Sequence, residues 1–246
     1  MTSPADSSPS PTRHGIPEPL TSSGPTMHIA LLGDSILDNA PYTDGLPDVT
    51  ARLEERLGPD GRVTLLAVDG SMMDDIDGQV AHIDPTVTHV VLSVGGNDAI
   101  EVSDVLGRPV GRVGEAFAVF DHVIADFRRS YRAALEALLS AGRPAVVLTI
   151  YDGWFGPDEA PMLRTALRSF NDVIIGEATS RGLPVIDLRR VCTRASDYAN
   201  PIEPSSSGGD RIAEQIEAVV RHYDFDRGSA VLPHRPDADG RDPEGS

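Results

Sequence analysis

Apolar positions along the chain fall into two periods. Short runs at 28–32, 63–68, 89–94, 145–150 and 184–188 are rich in β-branched residues and apolar at most positions, without strict alternation. That is the pattern of strands covered on both faces. Between them lie longer stretches whose apolar residues recur every third or fourth position. The stretch 49–57 stops at Gly58-Pro59, and Ser71-Met72-Met73-Asp74 opens the next as a capping-box-like start. Residues 115–141 carry Phe117, Phe120, Ile124, Phe127, Tyr131, Leu135 and Leu138 and stop at Gly142, while 161–180 and 209–222 complete the set. Five strand–helix alternations predict an α/β fold with a parallel five-stranded sheet wound on both faces. Ligands of such sheets bind beyond the carboxyl ends of the strands, so chemistry is to be sought at the strand exits.

The ends of the chain change this picture by what they lack. Residues 1–26 are rich in Ser, Pro and Thr, and residues 224–246 in Pro, Gly and Asp. Neither has apolar periodicity to offset its ordering entropy, so both are predicted to be disordered, leaving 27–223 as one folded domain. The N-terminal segment lacks the basic start and apolar stretch of a secretory signal, and no apolar run is long enough to span a bilayer. The expectation is a cytoplasmic location. No internal repeat is found.

Composition then narrows the partners. Acids number 38 against 21 basic residues, all of them arginine, for a net charge of −17. A duplex-wrapping protein is excluded, because phosphate binding needs a basic face. The single cysteine, Cys192, excludes an intramolecular disulfide and a cysteine-built zinc site and reads as a buried, inert thiol.

Three strand exits carry the informative residues. The first strand runs into Gly33-Asp34-Ser35, where a tight strand-to-helix junction presents a hydroxyl above the sheet, near helix N-terminal amides. The second exits into Asp69-Gly70-Ser71, whose glycine permits close backbone approach of an N–H to a ligand oxygen. The third exits into Gly95-Gly96-Asn97-Asp98, and the Asn97 amide is a neutral donor suited to a developing oxyanion. Each motif alone is a common turn; three in order at three successive exits are far more specific.

With these blocks the sequence resembles the SGNH hydrolases, also called the GDSL esterases and lipases, over nearly all of 27–223. The resemblance implies a three-layer α/β/α sandwich of flavodoxin-like type. It makes Ser35 the nucleophile and the Ser35 and Gly70 N–H groups, with the Asn97 side chain, the oxyanion hole. It further implies cleavage of an ester, thioester or O-acetyl group of a small-molecule substrate, with no metal or other cofactor. Oligomeric state and acyl group are left open.

The family's last block, Asp-x-x-His, is where this chain departs. Aligning Pro204-Ser205 and Gly208 places Asn200 at the Asp position and Glu203 at the His position; a register on Asp197 would place Asn200 at the His position but loses those matches. Either way the histidine is missing. Imidazole titrates near 6.5 and an unperturbed Glu near 4.3, a gap of about 2.2 pH units or roughly 3 kcal/mol of proton affinity. Burial of Glu203 would close much of it. Asn200 suits such a base, since an amide can donate to a carboxylate that an Asp would repel. Three readings stay open: an esterase with Glu203 as base oriented by Asn200, a catalytically impaired binding protein, and an acyltransferase using the same serine. His14, His28, His82, His89, His122, His222 and His234 all fall in tails, helices or strand starts away from the expected site.

Weaker features have ordinary explanations. Asp74, Asp75 and Asp77 complement a helix dipole better than they suggest a metal site, and Asp98 organises its own turn. The insert 101–114 either covers the pocket or is a surface loop. Tyr151, Trp154 and Phe155, after the fourth strand, either wall a pocket or pack under a loop. Arg189 and Arg190 read as surface charge.

Overall fold

A computed structural model describes residues 27–232. The expected disorder of 1–26, and of 233–246, concerns segments outside the described residues. Six parallel strands form one sheet in the order β2-β1-β3-β4-β5-β6: β1 (Met27–Gly33), β2 (Gly61–Leu65), β3 (His89–Ser93), β4 (Ala145–Leu148), β5 (Val185–Ile186) and β6 (Val231–Leu232). Six α-helices connect or flank them: α1 (Val49–Leu57), α2 (Ile76–Val80), α3 (Gly96–Glu101), α4 (Val113–Ser140), α5 (Ala160–Ser180) and α6 (Ser206–His222).

The near-continuous apolar strands are explained by two cores. Ala30 and Leu32 of β1 pack with α4 and α5 on one face, while Ile29 and Leu31 pack with α1 and α6 on the other. Both faces are covered, so the strands are apolar at most positions. Local signals mark the helix ends. Asp48 caps α1 by accepting from the Ala51 N–H at 2.7 Å, Gly58 closes it with φ +75°, and Ser205 caps α6 by accepting from Gly208 N–H at 3.2 Å. In α4 the predicted stripe holds at Phe127, Tyr131, Leu135 and Leu138, but Phe117 is 72% exposed. Before α2 the predicted capping box shifts by one residue, Asp75 accepting from the Met72 N–H at 2.8 Å.

Two expectations are corrected. The sheet has six strands rather than five, and the segment 224–246 is ordered through residue 232. Tyr223 and Phe225 stack edge-on, Phe225 also meets His89, and the chain then pairs with β5, Val185 N–H donating to Ala230 O at 2.8 Å. Two aromatic anchors and a free strand edge outweigh a polar composition. β2 is shorter than predicted because Leu66 and Ala67 N–H both turn to the Leu31 carbonyl, each at 2.8 Å, which ends the regular ladder. α3 is a further difference, since the glycine pair reads in sequence only as a turn.

Candidate active site

The carboxyl end of β1 is built for close approach. Gly33 has φ +126°, and a Cβ there would lie 1.7 Å from the Ser93 carbonyl oxygen, so only glycine lets β1 and β3 deliver their exits side by side. Asp34 N–H donates to Ser93 O at 3.1 Å, and the Asp34 carboxylate accepts from Ile36 N–H at 3.1 Å. Ser35 sits between them. Its own N–H has no acceptor among the described residues.

The loop after β2 is tied to this exit on three sides. Gln79 of α2 accepts from Gly33 N–H at 2.7 Å and donates from Nε2 to Gly33 O at 2.9 Å and to Ser71 Oγ at 3.2 Å. Asn97 Nδ2 donates to Ser71 O at 2.9 Å, which leaves one amide hydrogen uncommitted. Asp98 accepts from Met73 N–H through both oxygens at 3.3 Å, so it braces the neighbouring loop as well as its own turn. Gly70 has φ +82°, and a Cβ on it would meet nothing within 4 Å, so backbone conformation rather than crowding calls for glycine there. Its N–H has no acceptor among the described residues.

Glu203 reaches the same place from the other end of the chain. Its turn is held by Tyr151 OH donating to Ile202 O at 2.6 Å, Trp154 N–H donating to Pro201 O at 2.9 Å, and Ala199 N–H donating to Glu203 O at 2.9 Å. A Cβ on Gly208 would lie 2.1 Å from Asp197 O, so α6 can start this close to the turn only at a glycine. Asn200 acts differently from the expectation. Its Oδ1 accepts from the Ile202 and Glu203 N–H groups at 2.9 and 3.0 Å, so it holds the backbone of the turn and does not donate to the carboxylate. Asn200 itself is exposed. Asp197 caps its own turn through Thr193 and Arg194 N–H and is not part of the cavity wall.

Ser35, Asn97 and Glu203 line one cavity of about 110 Å³; Gly70 borders a separate surface depression that shares no lining residue with it, and Asn200 lines neither. Glu203 is 8% exposed, and its Oε2 has no hydrogen-bond partner. Burial raises its pKa from the ordinary 4.5; the nearby Ser35 hydroxyl opposes this, and the nearby Asp69 charge adds to it. Burial also pushes Asp34 up to about 7 and Asp98 to about 6, the Glu203 charge contributing at Asp34. No His or Arg lines the cavity. His28 lies at the opposite end of the sheet between Thr86 and Thr64, each 2.8 Å from a ring nitrogen.

Of the weaker features, the insert does cover the cavity, through Val102, Ser103, Val105 and Leu106. Tyr151 and Phe155 line it, whereas Trp154 is half exposed and packs on Tyr198. Arg189 is committed to Asp187 by two contacts, at 2.7 and 2.8 Å. Sequence reasoning does not reach Gln79; a glutamine in a short helix carries no local signal that it will clamp a distant strand end.

A model of the GDSL-like Lipase/Acylhydrolase family matches residues 31–211. Among solved structures, the chain is similar to the extracellular lipase of Streptomyces rimosus at 14% identity, covering 78% of this chain and 99% of that one, with a TM-score of 0.59. It is also similar to phospholipase A1 of Streptomyces albidoflavus NA297 at 17% identity (78% and 99% covered, TM-score 0.56). The acetyl xylan esterase AlAXEase matches at 16% identity (79% and 100% covered, TM-score 0.59). At these identities the likeness is one of fold. No curated protein matches the chain.

Proposed function

The chain belongs to the GDSL-like lipase/acylhydrolase family of ester-bond hydrolases, and from that premise we propose that it cleaves a small-molecule ester by acylation of Ser35, with Glu203 in the histidine's place as base. The observation that carries this reading is that Ser35 and Glu203 line the same cavity, with Glu203 buried and its Oε2 left without a hydrogen-bond partner.

The steps follow from that pairing. Glu203 takes the Ser35 Oγ proton as Oγ attacks the ester carbonyl. The tetrahedral oxyanion is met by the Ser35 and Gly70 N–H groups and the free Asn97 amide hydrogen, three donors with no competing acceptor among the described residues. Glu203 then returns the proton to the leaving alcohol, giving the acyl-enzyme. Water, deprotonated by the same carboxylate, releases the acid. Burial makes Glu203 a stronger base than a solvated carboxylate, which offsets part of what the missing imidazole would supply. Asn200 is a positioning residue, holding the backbone of the turn that carries the base.

Covalent labelling tests the assignment. A fluorophosphonate is expected to modify Ser35 stoichiometrically, faster as pH rises through the Glu203 titration, with the adduct located by peptide mass spectrometry. No adduct at any pH from acid to alkaline would sink the catalytic reading and leave a binding protein.

Gln79 provides a second test, directed at positioning. Gln79→Met strips the Gly33 N–H of its acceptor, leaves Gly33 O to Val68 N–H alone and releases Ser71, so the nucleophile and the Gly70 N–H lose their common anchor. The expected result is a fall in kcat of roughly ten- to hundredfold with KM little changed. The orphaned buried Gly33 N–H would also cost about 1–3 kcal/mol of stability. A melting shift with kcat intact would show that the clamp serves the fold alone.

A further inference from the structure

The cavity beside Ser35 is much larger than an acetyl group needs. Its wall away from the polar end is mostly apolar: Leu106 from the insert, Phe120 from α4, and Leu163, Leu167 and Phe170 from α5. Phe170 is buried, and Phe120 meets its ring edge-on at 5.8 Å, so the two helices close that wall with aromatic rings. Ile100 and Ile202 line the cavity while staying 49% and 40% exposed, which puts apolar surface in contact with solvent along the same wall. The Ser103 hydroxyl of the insert apart, that wall offers nothing to hydrogen-bond a sugar or solvate a charge. The 110 Å³ cavity is several times the roughly 10–15 Å³ that one water needs.

The polar end adds a second restriction. Asp34 and Glu203 line it, and Asp98 lies close enough for its charge to raise Asp34. Outside, Tyr42 OH donates to Asp69 at 2.8 Å, and Asp69 N–H donates to Asp38 at 3.0 Å, which groups further carboxylates near Glu203. With no Arg or His in the wall, an anionic alcohol half would meet carboxylates only.

We infer that the substrate is a medium-chain acyl ester of an uncharged alcohol, with the acyl chain lying between the insert and the α4–α5 pair. This rests on the catalytic reading above and specifies the substrate of that site. The chain enters with its carbonyl at Ser35 Oγ, and each added methylene gains up to about fourfold in kcat/KM until the aromatic wall is reached.

The experiment is a series of p-nitrophenyl esters from acetate to palmitate, with octanoyl-coenzyme A as the anionic comparison. Octanoate is expected to exceed acetate at least tenfold in kcat/KM, palmitate to fall below octanoate, and the coenzyme A thioester to be the poorer octanoyl donor. Val105→Trp in the insert and Ala166→Met in α5 both narrow the cavity from opposite sides and should shift the optimum to shorter chains. Using both keeps the test intact if one fails to fold. Acetate equal to octanoate, palmitate best, or preference for the thioester would each overturn the assignment. A separate arm needs no turnover: calorimetric titration with 2-octanone and with acetone, expected to differ at least tenfold in Kd. If no ester is cleaved but this difference is seen, the catalytic reading fails while the chain pocket stands; ester cleavage without it overturns the pocket.

Discussion

Ser35→Ala is expected to lower kcat/KM on the preferred ester by at least about 10⁴-fold, to the rate left by the oxyanion donors and binding alone. The change removes the hydroxyl that shares the cavity with Glu203, so no other group is left to carry the acyl intermediate. Fluorophosphonate labelling should vanish with it. Ser35 is 6% exposed and faces the cavity rather than the packed core, so the melting temperature should move little. A variant that keeps more than one part in a hundred of wild-type activity would show that Ser35 is not the nucleophile.

Glu203→Gln should have the next largest effect, about 10²- to 10⁴-fold in kcat, the usual contribution of a positioned general base. Glutamine keeps the shape of the side chain and the backbone bonds to Asn200 and Ala199 but cannot accept the serine proton. The pH dependence separates this role from a structural one. In the wild type, kcat/KM should fall on the acid side with a midpoint above 4.5, because burial raises the Glu203 pKa; in the variant that limb should be absent. Stability should move the other way. A carboxyl whose folded pKa is raised binds more protons in the folded state, so its stabilisation is complete below the unfolded pKa and is lost as pH rises through the folded one. Glu203→Gln removes that loss. The variant should therefore match the wild type near pH 4 and melt at an equal or higher temperature at pH 8. A variant less stable at pH 8 with its acid limb intact would mark Glu203 as a structural residue and return the base to another group.

The layered fold was legible because its signals are local. Uninterrupted apolar runs marked strands with two covered faces, and the helix stops at Gly58 and Gly142 coincide with positive φ at both positions. Legibility failed where neighbours decide. Phe117 keeps the helical spacing of α4 yet has nothing above it to pack against. β6 exists because β5 offers an edge and Phe225 finds His89 and Tyr223, neither of which composition reveals.

The site divides along the same line. Motif order along the chain was enough to bring Ser35, Gly70 and Asn97 forward together, since a parallel sheet delivers every strand exit to the same edge whatever the intervening sequence, whereas Glu203 came forward only through the family's last block. What Asn200 does was not readable: donor or acceptor depends on which groups the folded turn presents, and the turn presents N–H groups. Gln79 and the α4–α5 wall were equally hidden, because each is a meeting of residues far apart in the chain. The sequence by itself determined the architecture and the chemical groups available at the strand exits, through periodicity and turn chemistry that act over a few residues. The tertiary structure alone decided which of those groups are buried, paired or left free to react, because desolvation and hydrogen-bond partnership are properties of the packed neighbourhood.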